Sequence, residues 1–135
     1  GNLSNFYLSN NIENELFDFS EDIFSFMNKS NISISRAGAS TLAELIYLEI
    51  PHIAIPLPSA KDNHQFENAF FYDQLGCNWI LNQNEISSKK LTDKLVNIIE
   101  NKEEYLIKKK NMESFNYQNT WNNINQKIKS TINEN

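Results

Sequence analysis

A chain of 135 residues with 40% hydrophobic content is long enough to bury one core and too short for two well-built ones. Its formal charge of -5 argues against nucleic acid as the main partner, because phosphate backbones are held by clustered Lys and Arg. The lone cysteine, Cys77, excludes an internal disulfide and has no neighbouring Cys or His at metal-ligand spacing.

Residues 1–12 are polar and Asn-rich, with Phe6-Tyr7-Leu8 as their one apolar run, and carry no periodicity that predicts structure. Leu16, Phe17 and Phe19 predict a short strand over residues 14–19. Ser20 followed by Glu21 and Asp22 has the form of a helix start, a hydroxyl cap with acidic residues where the dipole favours them. Ile23, Phe24, Phe26 and Met27 then give an apolar helix face ending near Ser30. Ile32 to Ser35 alternates with a period of two and predicts a strand reaching Arg36, after which Gly38 permits a tight turn. Leu42, Leu45, Ile46 and Leu48 have helical spacing, and Pro51 closes that helix.

His52 to Leu57 reads as an apolar strand ended by Pro56 and Pro58, with His52 a structural residue on it. A loop over residues 59–63 precedes a helix over 64–75, whose Phe66, Ala69, Phe70 and Leu75 can face inward and whose natural stop is Gly76. A strand over 77–81 follows, then helices over 87–100, 102–112 and 117–132, the last within a terminal segment 114–135 that carries Trp121, Ile124 and Ile128 on one face. The Lys108-Lys109-Lys110 run reads as a solvated helix face. No run approaches the ~20 apolar residues of a membrane span, and no signal-peptide pattern opens the chain. Gly1 in place of Met leads to the expectation of a fragment or processed piece.

Strands alternating with helices through short loops predict an α/β fold: a Rossmann-like parallel sheet with flanking helices, in one domain. Ligands of such sheets bind outside the carboxyl ends of the strands, which is where Arg36–Ser40 and Pro58–Asn63 fall. The small residues of Arg36-Ala37-Gly38-Ala39-Ser40-Thr41 let a phosphate approach first-turn amides at the positive end of the helix dipole; equally, Gly38 and Ala39 allow close helix–sheet packing. Glu44 can close a capping box from Thr41, or accept two ribose hydroxyls beside a phosphate site. Gln65 and Asn68, three apart, share a helix face and carry donors and acceptors suited to sugar hydroxyls; read otherwise, Asp62 or Asn63 caps a helix of solvated polar residues. His64 lacks a placed carboxylate or nucleophile, and no metal cluster or catalytic triad is visible.

Ile34 to Leu45 (I-S-R-A-G-A-S-T-L-A-E-L) and Ile55 to Ala69 (I-P-L-P-S-A-K-D-N-H-Q-F-E-N-A) together resemble the donor-nucleotide domain of the MurG family. Its members are UDP-N-acetylglucosamine:N-acetylmuramyl-(pentapeptide) pyrophosphoryl-undecaprenol N-acetylglucosaminyltransferases, which convert lipid I to lipid II in peptidoglycan synthesis. The resemblance covers most of the chain and implies part of the C-terminal domain of a two-domain, GT-B-type glycosyltransferase. It implies that Phe19, Ser20 and Ile23 border the uracil, and that Ala39, Ser40 and Thr41 face the diphosphate. Glu44 would hold the ribose, and His64, Gln65 and Asn68 would contact the N-acetylglucosamine. His64 departs from the Gln common in the family, and Arg36 receives no contact. Further implications are UDP-N-acetylglucosamine as donor without a cofactor or metal, and a lipid I acceptor held by a domain outside the chain, which would also carry the catalytic residues. Peripheral attachment at the cytoplasmic face of the bacterial inner membrane is implied as well. With earlier strands of the sheet absent, the chain is expected to expose or re-pair a sheet edge and to be inactive alone. The other arrangement is a UDP-sugar-binding subunit that completes its site with a separate chain.

Overall fold

The computed structural model describes residues 2–18, 21–58 and 63–133. Among them, Ser33–Arg36 (β1), His52–Ile55 (β2) and Trp79–Ile80 (β3) form a parallel sheet in the order β1-β2-β3. Ser33 stands opposite His52, Arg36 opposite Ile55, and Ile53 opposite Trp79. The helices are Asn2–Ser9 (α1), Ile23–Asn28 (α2), Ala39–Tyr47 (α3), His64–Gln74 (α4), Ser88–Glu100 (α5), Lys102–Gln118 (α6) and Trp121–Asn133 (α7). A single 3₁₀ turn, Gln83–Glu85, joins β3 to α5.

β2 is the middle strand, and its apolar run is buried on both faces as a parallel sheet requires. Ala54 faces α3 and α4 in a core with Ala37, Leu42, Leu45, Ile50 and Ala69. Ile53 faces the other way and packs with Trp79 and Ile98, under Leu91 and Leu95 of α5 and Tyr105 of α6. α6 reaches both layers, because Met112 packs with Ile46 of α3 and with Cys77. Two asparagines of α6 satisfy carbonyls at the ends of the facing helices: Asn116 Nδ2 donates to Ile46 O at 2.9 Å, and Asn111 Nδ2 to Gly76 O at 3.0 Å. α6 therefore seals the amino-terminal edge of the sheet and leaves the carboxyl edge open.

Caps fix the boundaries. Ser87 Oγ accepts from Lys90 N at 3.1 Å, and Asn101 Oδ1 accepts from Glu104 N at 3.2 Å. α3 and α4 end alike. Glu49 N and Ile50 N bond back to Ile46 O and Leu45 O, and Gly76 N and Cys77 N to Asp73 O and Tyr72 O. The residue that turns each chain out of its helix is left-handed, Glu49 at φ 58 and Gly76 at φ 72.

Several expectations are corrected. No strand forms over the described residues 14–18, which are exposed coil. A lone extended segment has no ladder to join, and Phe17 packs on Phe26 instead, ring centroids 4.7 Å apart. Ser20 and Phe19 lie outside the described residues; α2 starts at Ile23 with Asp22 in the cap position. Residues 2–9 form a helix with no buried residue, which explains why no periodicity announced it. Of the α4 residues expected to face inward, Ala69 is buried, whereas Phe66, Phe70 and Leu75 are exposed. α6 continues six residues past Met112 to Gln118, because Phe115 and Asn116 still find partners in Tyr72 and Ile46, and α7 accordingly starts at Trp121. β1 ends the sheet, so among the described residues its outer edge is unpaired, as expected. Among the described residues no helix is long and apolar enough to cross a membrane.

Candidate functional site

The carboxyl end of β1 runs directly into α3. Ala37 is fully buried, Gly38 occupies the cap position with extended backbone (φ -66, ψ 144), and Ala39 opens the helix. Any residue adopts that backbone, so Gly38 is not required for the turn. A Cβ there would meet nothing within 4 Å, so close packing does not explain the glycine either. What it leaves is open space at the start of the helix. The first intrahelical bond is Leu42 N to Gly38 O at 3.0 Å, so the amides of Ala39, Ser40 and Thr41 precede it and point out of the helix end.

Because Gly38 is the cap, Thr41 is already inside the helix and the Thr41–Glu44 capping box does not form. Glu44 instead stands on the exposed face one turn beyond Ser40, and no other described residue pairs with its carboxylate. Such an unengaged carboxylate beside a helix start can accept hydroxyl donors.

Gln65 and Asn68 meet this turn from α4. Gln65 Oε1 accepts from Ala37 N at 3.3 Å and from Leu57 N at 2.8 Å, bridging the loops that follow β1 and β2. Asn68 Nδ2 donates to Ala37 O at 3.2 Å. His64 is the exposed first residue of α4, next to the Asn63 cap. Ile23, exposed, begins α2, which rests on the α3 side of the core through Met27. The structure thus joins Gln65 and Asn68 by direct bonds to Ala37, the residue that leads into α3; Phe19, Ser20 and Asp62 lie outside the described residues.

Sequence reading missed the third loop of this edge. Arg36 Nη1 donates to Gln83 Oε1, tying the end of β1 to the turn after β3. Asn82, Gln83 and Asn84, with Pro56, Pro58 and Phe66, line a cleft of about 400 Å³. The signal was the carboxamide run Asn82-Gln83-Asn84 directly after a strand. At the opposite edge burial shifts three titratable groups. Burial lowers the pKa of His52, keeping it neutral, and pushes the Cys77 thiol up to about 11, so it is no nucleophile. Burial also lowers the pKa of Lys108, which lies over the Trp79 ring at 4.7 Å.

A three-stranded parallel sheet with helices packed on both faces defines a Rossmann-like α/β domain. The chain belongs to the glycosyltransferase family 28 C-terminal domain family, which it matches over residues 2–128. It is 66% identical over 129 residues to the UDP-N-acetylglucosamine–N-acetylmuramyl-(pentapeptide) pyrophosphoryl-undecaprenol N-acetylglucosamine transferase of Pelagibacter ubique (strain HTCC1062), covering 96% of this chain and 36% of that protein. The proteins of the same name from Rickettsia bellii (strain RML369-C) and Rickettsia canadensis (strain McKiel) are 43% and 46% identical, each over 99 residues, covering 73% of this chain and 28% of theirs. The chain therefore spans about a third of the length of these relatives.

Proposed function

We propose that this chain is the donor-binding part of an N-acetylglucosaminyltransferase that takes UDP-N-acetylglucosamine and, in the whole protein, converts lipid I to lipid II. The observation that supports it most is the bare start of α3: outward amides at Ala39, Ser40 and Thr41, with an unengaged Glu44 one turn on. The amides would hold the diphosphate and Glu44 the two ribose hydroxyls. Phe19, Ser20 and Ile23 would border the uracil, while His64 and the free amide hydrogens of Gln65 would face the sugar. In transfer, an acceptor hydroxyl attacks the anomeric carbon with inversion as the diphosphate leaves, and the helix-end amides stabilise the charge gathering on it. The acceptor and the catalytic residues would be supplied by the rest of the protein, at the cytoplasmic face of the inner membrane.

Calorimetric titration with UDP and UDP-N-acetylglucosamine tests the assignment. A charged group accepting hydroxyl bonds is worth about 1.5–3 kcal/mol, so Glu44→Gln should weaken UDP about 10- to 100-fold without lowering the melting temperature. Unchanged UDP affinity in that variant refutes the ribose role, and absence of any UDP binding by the unaltered chain refutes the reading for the isolated domain. The chain alone should form no lipid II.

A further inference from the structure

The two α4 side chains assigned above to the sugar are already committed elsewhere. Ala37 is fully buried, so both polar groups of its peptide units must find protein partners, and both find them on α4: Gln65 takes the N–H and Asn68 the C=O. The same Gln65 oxygen also takes the Leu57 N–H. Two amide donors converging on one atom fix it as the oxygen, and the carbonyl facing Asn68 fixes that atom as the nitrogen, so the orientation of both carboxamides is determined. No other side chain is bonded to the Ala37 backbone among the described residues. Ala37 is followed by Gly38, the cap residue of α3, whose carbonyl receives the first bond of that helix.

We propose that Gln65 and Asn68 form a latch that sets the position of the α3 start, making Asn68 a positioning residue rather than a sugar ligand. Gln65 serves the latch through Oε1 and retains only its Nε2 hydrogens for a ligand, so it can meet an acceptor oxygen and nothing else. This rests on the donor-site reading for its functional consequence, while the latch itself is testable without any ligand.

Amide exchange followed by NMR on the ligand-free chain comes first. Asn68→Ala should speed exchange at Leu42 and leave Ile53 and Ala54 in β2 unchanged; Gln65→Ala should speed Ala37 and Leu42, whereas Gln65→Glu, which keeps an acceptor oxygen, should restore both. Unaltered exchange at Leu42 in both alanine variants, or equal acceleration across β2, overturns the latch. UDP and UDP-N-acetylglucosamine are then titrated into Asn68→Ala. A lost positioning bond should weaken both ligands equally, by about tenfold. Weakening of UDP-N-acetylglucosamine with UDP untouched makes Asn68 a sugar ligand and overturns the proposal. If the unaltered chain binds neither ligand, the donor-site reading for the isolated domain fails, and the exchange data alone decide for or against the latch.

Discussion

Glu49 and Gly76 end their helices with the same pair of backbone bonds and the same left-handed turn, but only one of them is suited to it. A side chain in that conformation costs about 1–2 kcal/mol that glycine avoids. Glu49→Gly should therefore stabilise the chain by about 1 kcal/mol in urea unfolding. Gly76→Ala should destabilise it by at least about 1–2 kcal/mol, since the backbone is strained and a Cβ would lie 2.5 Å from Asn111 Nδ2. His52 is a second residue whose cost depends on conditions. Its Nδ1 faces Ile50 O at 2.9 Å, and its buried Nε2 has no hydrogen-bond partner among the described residues. Burial holds its folded pKa below the ordinary 6.5, so between that value and the folded pKa the unfolded chain binds the extra proton. This group's contribution is fully present above pH 6.5 and is lost as the pH falls below it. Denaturant titrations from pH 7.5 to 5.5 should show stability declining, and His52→Gln should flatten that decline.

At the level of elements, what was legible depended on how much of an element's reason lay within itself. β1, α3 and β2 could be read because their periodicity and stops are local: Ser33 and Ser35 alternate with Ile34, and Pro51 interrupts; α4 was bounded by its Gly76 stop, but the face it buries was not legible, since Phe66, Phe70 and Leu75 are exposed. α6 could not be delimited, because residues 113–118 are held by distant partners: Asn116 by Ile46, and Phe115 by Tyr72 at 5.8 Å. The Asn101–Glu104 cap was legible in principle, and its Glu104 also accepts from Trp79 Nε1 at 2.9 Å, joining α6 to β3. Met112 fills the junction of α6, α3 and Cys77 with no exposed surface. Met112→Ala should cost about 2–5 kcal/mol, read as a fall in the urea midpoint. The candidate site was half legible. Its residue types stood in the motif, but the engagement of Gln65 and Asn68 by the Ala37 backbone is a relation between segments 28 and 31 residues apart, which no spacing rule encodes.

Across the whole molecule the two sheet edges divide the work. α6 closes the amino-terminal edge with asparagine caps and Met112, while the carboxyl edge gathers three loops around a bare helix start. α1 and α7 contribute no buried residue to this arrangement. Deleting residues 120–135 should therefore leave the melting temperature within about 2 °C, since exposed groups away from caps and core contribute little. Trp121 on α7 is 74% exposed, whereas Trp79 in β3 is 5% exposed with Lys94 and Lys108 over its ring. These two indoles are the chain's whole tryptophan complement, and they make its fluorescence a two-channel signal. Iodide should quench the Trp121 emission in the native state and leave that of Trp79 dark to the quencher, so unfolding of the sheet can be followed in one channel while the terminal helix reports in the other.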